Sequence, residues 1–365
     1  MHLTDLTLDN FRNITHMDLT FDRRLSIISG DNGSGKTSIL EAIYFLSLGR
    51  SFRSNQIQHI ISHEHTSFTL FAKLNPVITE NSDRHKSTIT LASQRQKNGK
   101  NTIKINGKNE NSQAALSRIL PVQLINPESF TLLNSGAQAR LKMLDWGTFY
   151  HHAPFLSHWQ QYRRLVKQRN IALKQNYNKD YIHILDAELS RRADAIDQYR
   201  QSYYQQLKPA IFKMLDQLKL SLRLDIDYYR GWAADQTLLE ALDQHYYQDS
   251  KTGITSVGSH RGDLRFKIHK HPAGDILSRG QQKLLISAIR LAEGQLYQRR
   301  FQSGVLYLVD DLHSELDSQH LSHLFDKLTH LDSQIIATAI SDTHLGTLSQ
   351  KYQPKKFRLA EGVVT

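Results

Sequence analysis

An apolar run, Leu25 to Ile28, leads into Gly30-Asp31-Asn32-Gly33-Ser34-Gly35-Lys36-Thr37, and a helical pattern follows in Ile39, Leu40, Ile43, Tyr44 and Leu46. Strand, glycine-rich loop and helix in that order confine the chain to an α/β fold built around a phosphate-binding loop. Glycines at 30, 33 and 35 let the backbone turn tightly and present consecutive N–H groups to an anion, with the positive end of the helix aimed at the same place. Lys36 is then expected to reach the β- and γ-phosphates, and the Thr37 hydroxyl to bind Mg²⁺. The pattern predicts binding of ATP or GTP.

The chain has 365 residues, enough for two or more domains with cores of their own. A formal charge of +11 points to a polyanionic partner, nucleic acid or acidic lipid. The absence of cysteine excludes a disulfide framework, thiol catalysis and Cys-based zinc sites. Met1-His2-Leu3-Thr4-Asp5 lacks the basic and apolar regions of a signal peptide, and no stretch approaches the ~18 apolar residues of a membrane span. A cytoplasmic protein with no membrane partner is the expectation.

Read in order, Leu3–Phe11 and Ile14–Phe21 predict strands, and the helix from Thr37 is expected to end near Leu48 at Gly49. Phe68, Leu70, Ala72 and Leu74 alternate as in a strand, Ser87–Leu91 is β-branched, and Thr102–Ile105 runs into the hairpin signal Asn106-Gly107. The polar stretches Thr79–Lys86 and Ser93–Asn101 predict loops, and Ile119–Ile125 a buried strand. From about Gln138 the spacing turns helical, first through Trp159, Tyr162, Leu165 and Val166, then through Ile182, Leu185, Leu189, Ile196, Tyr203 and Leu207, with a kink or end expected at Pro209. Residues 138–218 hold 13 Lys and Arg against 7 Asp and Glu. The run Arg163, Arg164, Lys167, Arg169 and Lys174 reads either as a surface that tracks a nucleic acid backbone or as a solvated helix face. Leu220–Tyr228 alternates strictly, and Leu264, Phe266 and Ile268 mark another strand.

A second set of motifs lies in the last hundred residues. Leu277-Ser278-Arg279-Gly280-Gln281 opens a helical pattern that continues through Glu293; Val305–Val309 is an apolar strand ending in Asp310-Asp311; Ser314-Glu315-Leu316-Asp317 follows, and then the buried strand Ile335–Ile340. An acid projecting from the rigid end of a strand completes the Mg²⁺ shell of a phosphate-loop site, a role that fits Asp310, with Asp311 placed to orient the attacking water.

Leu277–Gln281 resembles the signature of the ABC-type ATPases, Val305–Asp310 their Walker B strand and Ser314–Asp317 their D-loop. Within that class the chain resembles the SMC-related DNA-repair branch, the RecF family, through Leu6–Asn13, Gly30–Thr37, Gly49–Arg53, Asn126–Phe130, Leu144–Gly147 and Gly258–Asp263. The resemblance implies a split ATPase head with an inserted, mainly helical arm: residues 1–135 and 251–365 as the two halves of the head and 136–250 as the arm. It further implies that Ser278, Gly280 and Gln281 cap, in trans, the nucleotide held by another subunit, so that ATP joins a two-fold homodimer. Such a dimer clamps duplex or gapped DNA and single-strand/double-strand junctions, and weak ATPase activity releases it. The partners implied are RecO and RecR, and the setting replication, recombination and the SOS response to DNA damage.

By the same resemblance Arg12 reaches phosphate, and Gln123 stands near the place of the metal-facing glutamine of the Q-loop. The catalytic acid is Asp311 where the wider class has Glu, which implies slow turnover, and the usual switch histidine is absent at Ile340-Ser341-Asp342, with His344 late. His59, His63 and His65 lack an acidic or Cys complement and read as solvated loop residues. Two other readings compete: a metabolic P-loop kinase and a transporter ATPase subunit.

Overall fold

The computed structural model describes residues 1–76, 87–311, 318–340, 351–360 and 362–364. The D-loop candidate Ser314–Asp317, the switch position at Ser341, Asp342 and His344, and the predicted loop Thr79–Lys86 lie outside these residues. The chain divides into two compact units, 1–129 with 287–365, and 130–286. The inserted unit therefore starts six residues earlier than the predicted arm. It also takes in 251–286, which the sequence reading assigns to the second half of the head.

The first unit begins with β1 (His2–Phe11), β2 (Ile14–Thr20), β3 (Leu25–Gly30), α1 (Lys36–Leu48), β4 (Ser67–Asn75), β5 (Ile89–Gln96), β6 (Asn101–Ile105), β7 (Lys108–Glu110), α2 (Gln113–Ile119) and β8 (Val122–Ile125). The chain then enters the second unit with α3 (Ala137–His151), α4 (Phe155–Lys174), α5 (Lys179–Gln217), β9 (Leu224–Tyr229), α6 (Leu238–Gln244), α7 (Tyr246–Thr252), β10 (Asp263–Ile268), β11 (His271–Pro272) and α8 (Ala273–Ile276). Helix α9 (Arg279–Phe301) leads back to the first unit, which closes with β12 (Leu306–Val309), α10 (Ser318–His330), β13 (Gln334–Ala339), β14 (Lys355–Ala360) and β15 (Val363–Val364).

Two sheets enclose α1. One is antiparallel, in the order β2-β1-β4-β5-β6-β7; the other runs β15-β14-β3-β13-β12-β8, parallel except for β15. Strands β12 and β13 are buried along their whole length, as a parallel sheet covered on both faces requires. Phe45 on α1 meets Phe68 of β4 at 5.1 Å, and Phe68 meets Phe11 of β1 at 5.0 Å, both edge to face. The helix is buried almost all round, which suits an element lying between two layers.

In the second unit α4 and α5 form a helical hairpin over Tyr162, Leu189, Ala193 and Ile196. A small antiparallel sheet, β11-β10-β9, accompanies it. The blocks that carry the family resemblance serve here as staples. Arg200 donates to both carboxylate oxygens of Asp145 at 2.7 and 3.0 Å and to the Ser259 carbonyl at 2.7 Å, and Arg140 grips Asp263 at 2.9 and 3.0 Å. A Cβ at Gly147 would lie 1.9 Å from the Tyr203 ring, so only glycine lets α3 approach α5 this closely.

Four sequence expectations need correction. Ser93–Gln96 belong to β5 and Asn101 to β6; only the turn between them is loop, because the outward face of this sheet is polar. Ile119 ends a helix and the buried strand starts at Val122. Of the kink or end expected at Pro209, the end does not occur: α5 runs on to Gln217, since Ala210, Ile211, Met214 and Leu215 are buried and their packing outweighs one lost N–H bond. The strand predicted from Leu220 starts at Leu224.

Candidate nucleotide site

At the carboxyl ends of β3, β12 and β13 the phosphate-binding loop borders a cleft of about 1120 Å³. Gly30, Gly33 and Gly35 all take positive φ, at 150°, 85° and 107°. A Cβ on Gly30 would sit 2.3 Å from the Leu359 carbonyl of β14, so the neighbouring strand demands glycine there. Asn13 braces the loop from the β1–β2 turn, its side-chain amide donating to the Gly33 carbonyl at 3.1 Å and its oxygen accepting from Ser38 at 3.1 Å. Asn32 and Asp31 face solvent, while the Ser34 side chain is buried.

Lys36 folds its ammonium back on the Gly30 and Asp31 carbonyls at 2.6 and 2.8 Å. Burial lowers its pKa, and the charges of Asp310, Asp311 and Asp31 oppose that fall. The Thr37 hydroxyl donates to Asp310 Oδ1 at 3.1 Å, and Thr338 of β13 donates to the same oxygen at 2.7 Å. Burial raises the Asp310 pKa, with the two hydroxyls working against it. A hydroxyl and a carboxylate oxygen side by side at the strand ends form an oxygen donor set suited to Mg²⁺, which typically takes one or two protein ligands plus phosphate and water. Among the described residues there is no group of three or more His, Asp or Glu that could hold a metal by itself.

Asp311 lines the cleft with φ at 52°, and its N–H donates to the Thr338 hydroxyl at 2.8 Å. Thr338 thus fixes both acids, a role the sequence reading does not assign; the signal available was one hydroxyl in an otherwise apolar buried strand. Arg12 also lines the cleft, bound to the Glu41 carboxylate through Nε and Nη2 at 2.9 and 2.6 Å.

Gln123 is corrected. It lies buried within β8, donates to Glu293 at 3.0 Å, and is not among the cleft residues, because the inward side of that strand faces α9. Ser278, Gly280 and Gln281 are not among the cleft residues. The Ser278 hydroxyl accepts from the Gln281 N–H at 3.3 Å and Gln281 Oε1 accepts from the Ser278 N–H at 3.0 Å, a capping box that starts α9. Gly280 is exposed, with nothing within 4 Å of the place a Cβ would take. Of the basic run on α4, Arg163, Arg164, Lys167 and Lys174 are exposed, but Arg169 is fully buried between Asp186 and Asp249 at 2.5 and 2.6 Å. It is unavailable to a nucleic acid.

The family model of the RecF/RecN/SMC N-terminal domain matches residues 2–357. A protein of Francisella tularensis subsp. tularensis named DNA replication and repair protein RecF is 45% identical over 339 residues, covering 93% of this chain and 94% of its own. Its counterpart in subsp. novicida is equally similar. Among solved structures, the recombination mediator RecF-ATP of the RecFOR pathway superposes with a TM-score of 0.87 at 24% identity over 100% of this chain and 97% of that one. The Smc head domain of Pyrococcus furiosus, with an extended coiled coil and the C-terminal domain of ScpA bound, reaches 0.58 at 15%, covering 100% and 95%. These structural likenesses establish the ABC-type head fold that the sequence motifs imply. With the family model spanning nearly the whole chain and relatives 45% identical over 93% of it, the chain belongs to the RecF family of the RecF/RecN/SMC ATPases.

Proposed function

We propose that the chain is an ATP-dependent DNA-binding protein of replication and recombinational repair, acting as a slow, nucleotide-gated clamp. One observation carries the reading: Lys36, Thr37, Asp310 and Asp311 converge on one cleft, while the exposed Ser278–Gln281 turn caps a helix and leaves Gly280 open. In this reading the loop N–H groups of Gly30–Gly35 and Lys36 hold the phosphates of ATP, Thr37 and Asp310 hold Mg²⁺, and Asp311 orients the attacking water. When bound, Mg²⁺ neutralises phosphate charge. Ser278, Gly280 and Gln281 cap the nucleotide of a second copy, so a homodimer closes with two-fold symmetry and loosens once the γ-phosphate contacts are lost. Asp311, one methylene shorter than Glu, suits slow release.

The basic face of α4 supports duplex or gapped DNA as the clamped partner, and the place of a structural relative in the RecFOR pathway supports RecO and RecR as collaborators. Among the described residues no helix is long and apolar enough to cross a membrane, and we place the protein in the cytoplasm. The kinase and transporter readings are not retained, since the family accounts for both motif sets together.

The test is light-scattering mass with ATP and Mg²⁺, followed by anisotropy of a labelled gapped duplex. Wild type is expected to dimerise and bind DNA more tightly with ATP. Ser278→Arg should bind ATP and stay monomeric. An undiminished dimer in that variant would remove the signature turn from its role in trans.

A further inference from the structure

Glu41 sits on α1, five residues beyond the phosphate-loop lysine, and its side chain is completely buried. Its two oxygens gather three groups from two segments. Arg12, from the β1–β2 turn, binds both oxygens at 2.6 and 2.9 Å; Ser51 donates to one; Arg53 approaches the other at 3.5 Å. Arg12 holds φ at 58°, a left-handed conformation uncommon for arginine, and its remaining Nη1 donates to the His59 carbonyl at 2.5 Å. Ser51 in turn accepts from the Arg53 and Ser54 N–H groups at 2.8 and 2.9 Å, so Glu41 also shapes the loop that carries Arg53. Both arginines line the nucleotide cleft, and the charge of Arg53 is felt at Asp310.

We infer that Glu41 is a positioning residue of the nucleotide site, anchoring Arg12 and Arg53 to the phosphate-loop helix so that two guanidinium groups form a fixed cationic wall facing the bound nucleotide. The inference rests on the nucleotide reading above. One carboxylate shared by two arginines leaves a surplus of positive charge, and a phosphate chain is the ligand class that matches it. Holding those side chains in place beforehand removes the cost of ordering them on binding.

The experiment is a double-mutant cycle on the full chain, reading the Kd of a fluorescent ATP analogue in the presence of Mg²⁺. Arg12→Ala and Glu41→Gln are each expected to raise the Kd about tenfold, the scale of one charge-assisted contact. Because Glu41 acts through Arg12 and Arg53, adding Glu41→Gln to a protein that carries both Arg12→Ala and Arg53→Ala should weaken binding no further. Losses that multiply, or a Glu41→Gln variant that binds like wild type, would overturn the assignment. Should Glu41→Gln fail to fold by thermal melting, Glu41→Asp takes its place in the same cycle, keeping the charge but withdrawing it from both arginines. Lys36→Ala separates this question from the underlying one. If wild type itself binds no analogue, the nucleotide reading fails; if wild type binds and Lys36→Ala does not, only the cycle decides on Glu41.

Discussion

The Glu41 cluster beside the cleft and the Arg169 network in the helical unit use the same parts in opposite proportions. At Glu41 one carboxylate serves two arginines, and the arginines reach the cleft surface. At Arg169 one guanidinium serves two carboxylates, Asp186 and Asp249, and also donates to Thr255 at 3.2 Å, tying α4, α5 and α7 together out of contact with water. The first leaves positive charge where an anion can use it. The second leaves a sealed knot whose value lies in what happens when a partner is removed. Glu293 stands between them, paired one to one with Arg290 at 3.0 Å and also held by Gln123.

The contrast predicts a graded series. Arg169→Met should cost the most, about 3–5 kcal/mol, because it strands two buried carboxylates. Urea denaturation of the full chain measures this loss, with the ATP affinity of the folded protein unchanged. A loss under about 1 kcal/mol would mean that the knot is not structural.

Glu293 should come next. Burial pushes its carboxyl up to about 7, against the opposing pull of Arg290. The unfolded chain ionises this group near 4.5, so the folded state binds the extra proton between the two values, and stability falls as pH rises through that window. The favourable contribution is complete below the unfolded pKa and lost above the folded one, about 3 kcal/mol in all. Glu293→Gln should flatten that portion of a stability profile taken from pH 4.5 to 8; an identical slope in both proteins would place the titration elsewhere.

The smallest effect on folding is expected where α4 faces solvent. Replacing Arg163, Arg164 and Lys167 together with alanine should change stability by no more than ~0.5 kcal/mol per site. The same variant should reduce the salt slope of DNA binding by up to ~2.7 log units per log unit of salt, at about 0.9 per phosphate contact. An unchanged slope would assign DNA to another surface. Arg169 must be left out of this variant, or loss of fold would be mistaken for loss of binding.

The candidate nucleotide cleft was legible because each of its motifs is local: eight consecutive residues make the loop, and an apolar strand ending in Asp310-Asp311 supplies the acids. What could not be read depends on partners distant in sequence. Arg163 and Arg169 look alike in one basic run, and only the fold separates the exposed one from the buried one. Glu41 occupies an ordinary helical position until Arg12, Ser51 and Arg53 are brought to it. Gln123 has the residue type for a metal-facing role, but strand alternation turns it toward Glu293. Strand β14 escaped notice because Lys355, Lys356 and Arg358 interrupt its apolar pattern, although Phe357 and Leu359 enter the core.

That late strand also governs when the site can exist. The Ser29 hydroxyl meets the Phe357 carbonyl from 328 positions away, and β14 runs parallel to β3 up to Gly30 itself. On a ribosome adding ~5–20 residues per second, the phosphate loop emerges roughly 15–65 s before the strand that pins its first glycine. During that interval the inserted helical unit is synthesised, while β3 waits without β13 on one side and β14 on the other. On the proposed function, the nascent chain therefore cannot hold ATP as the folded protein would, and the proposed pairing of two copies is deferred until β14 has been made in both.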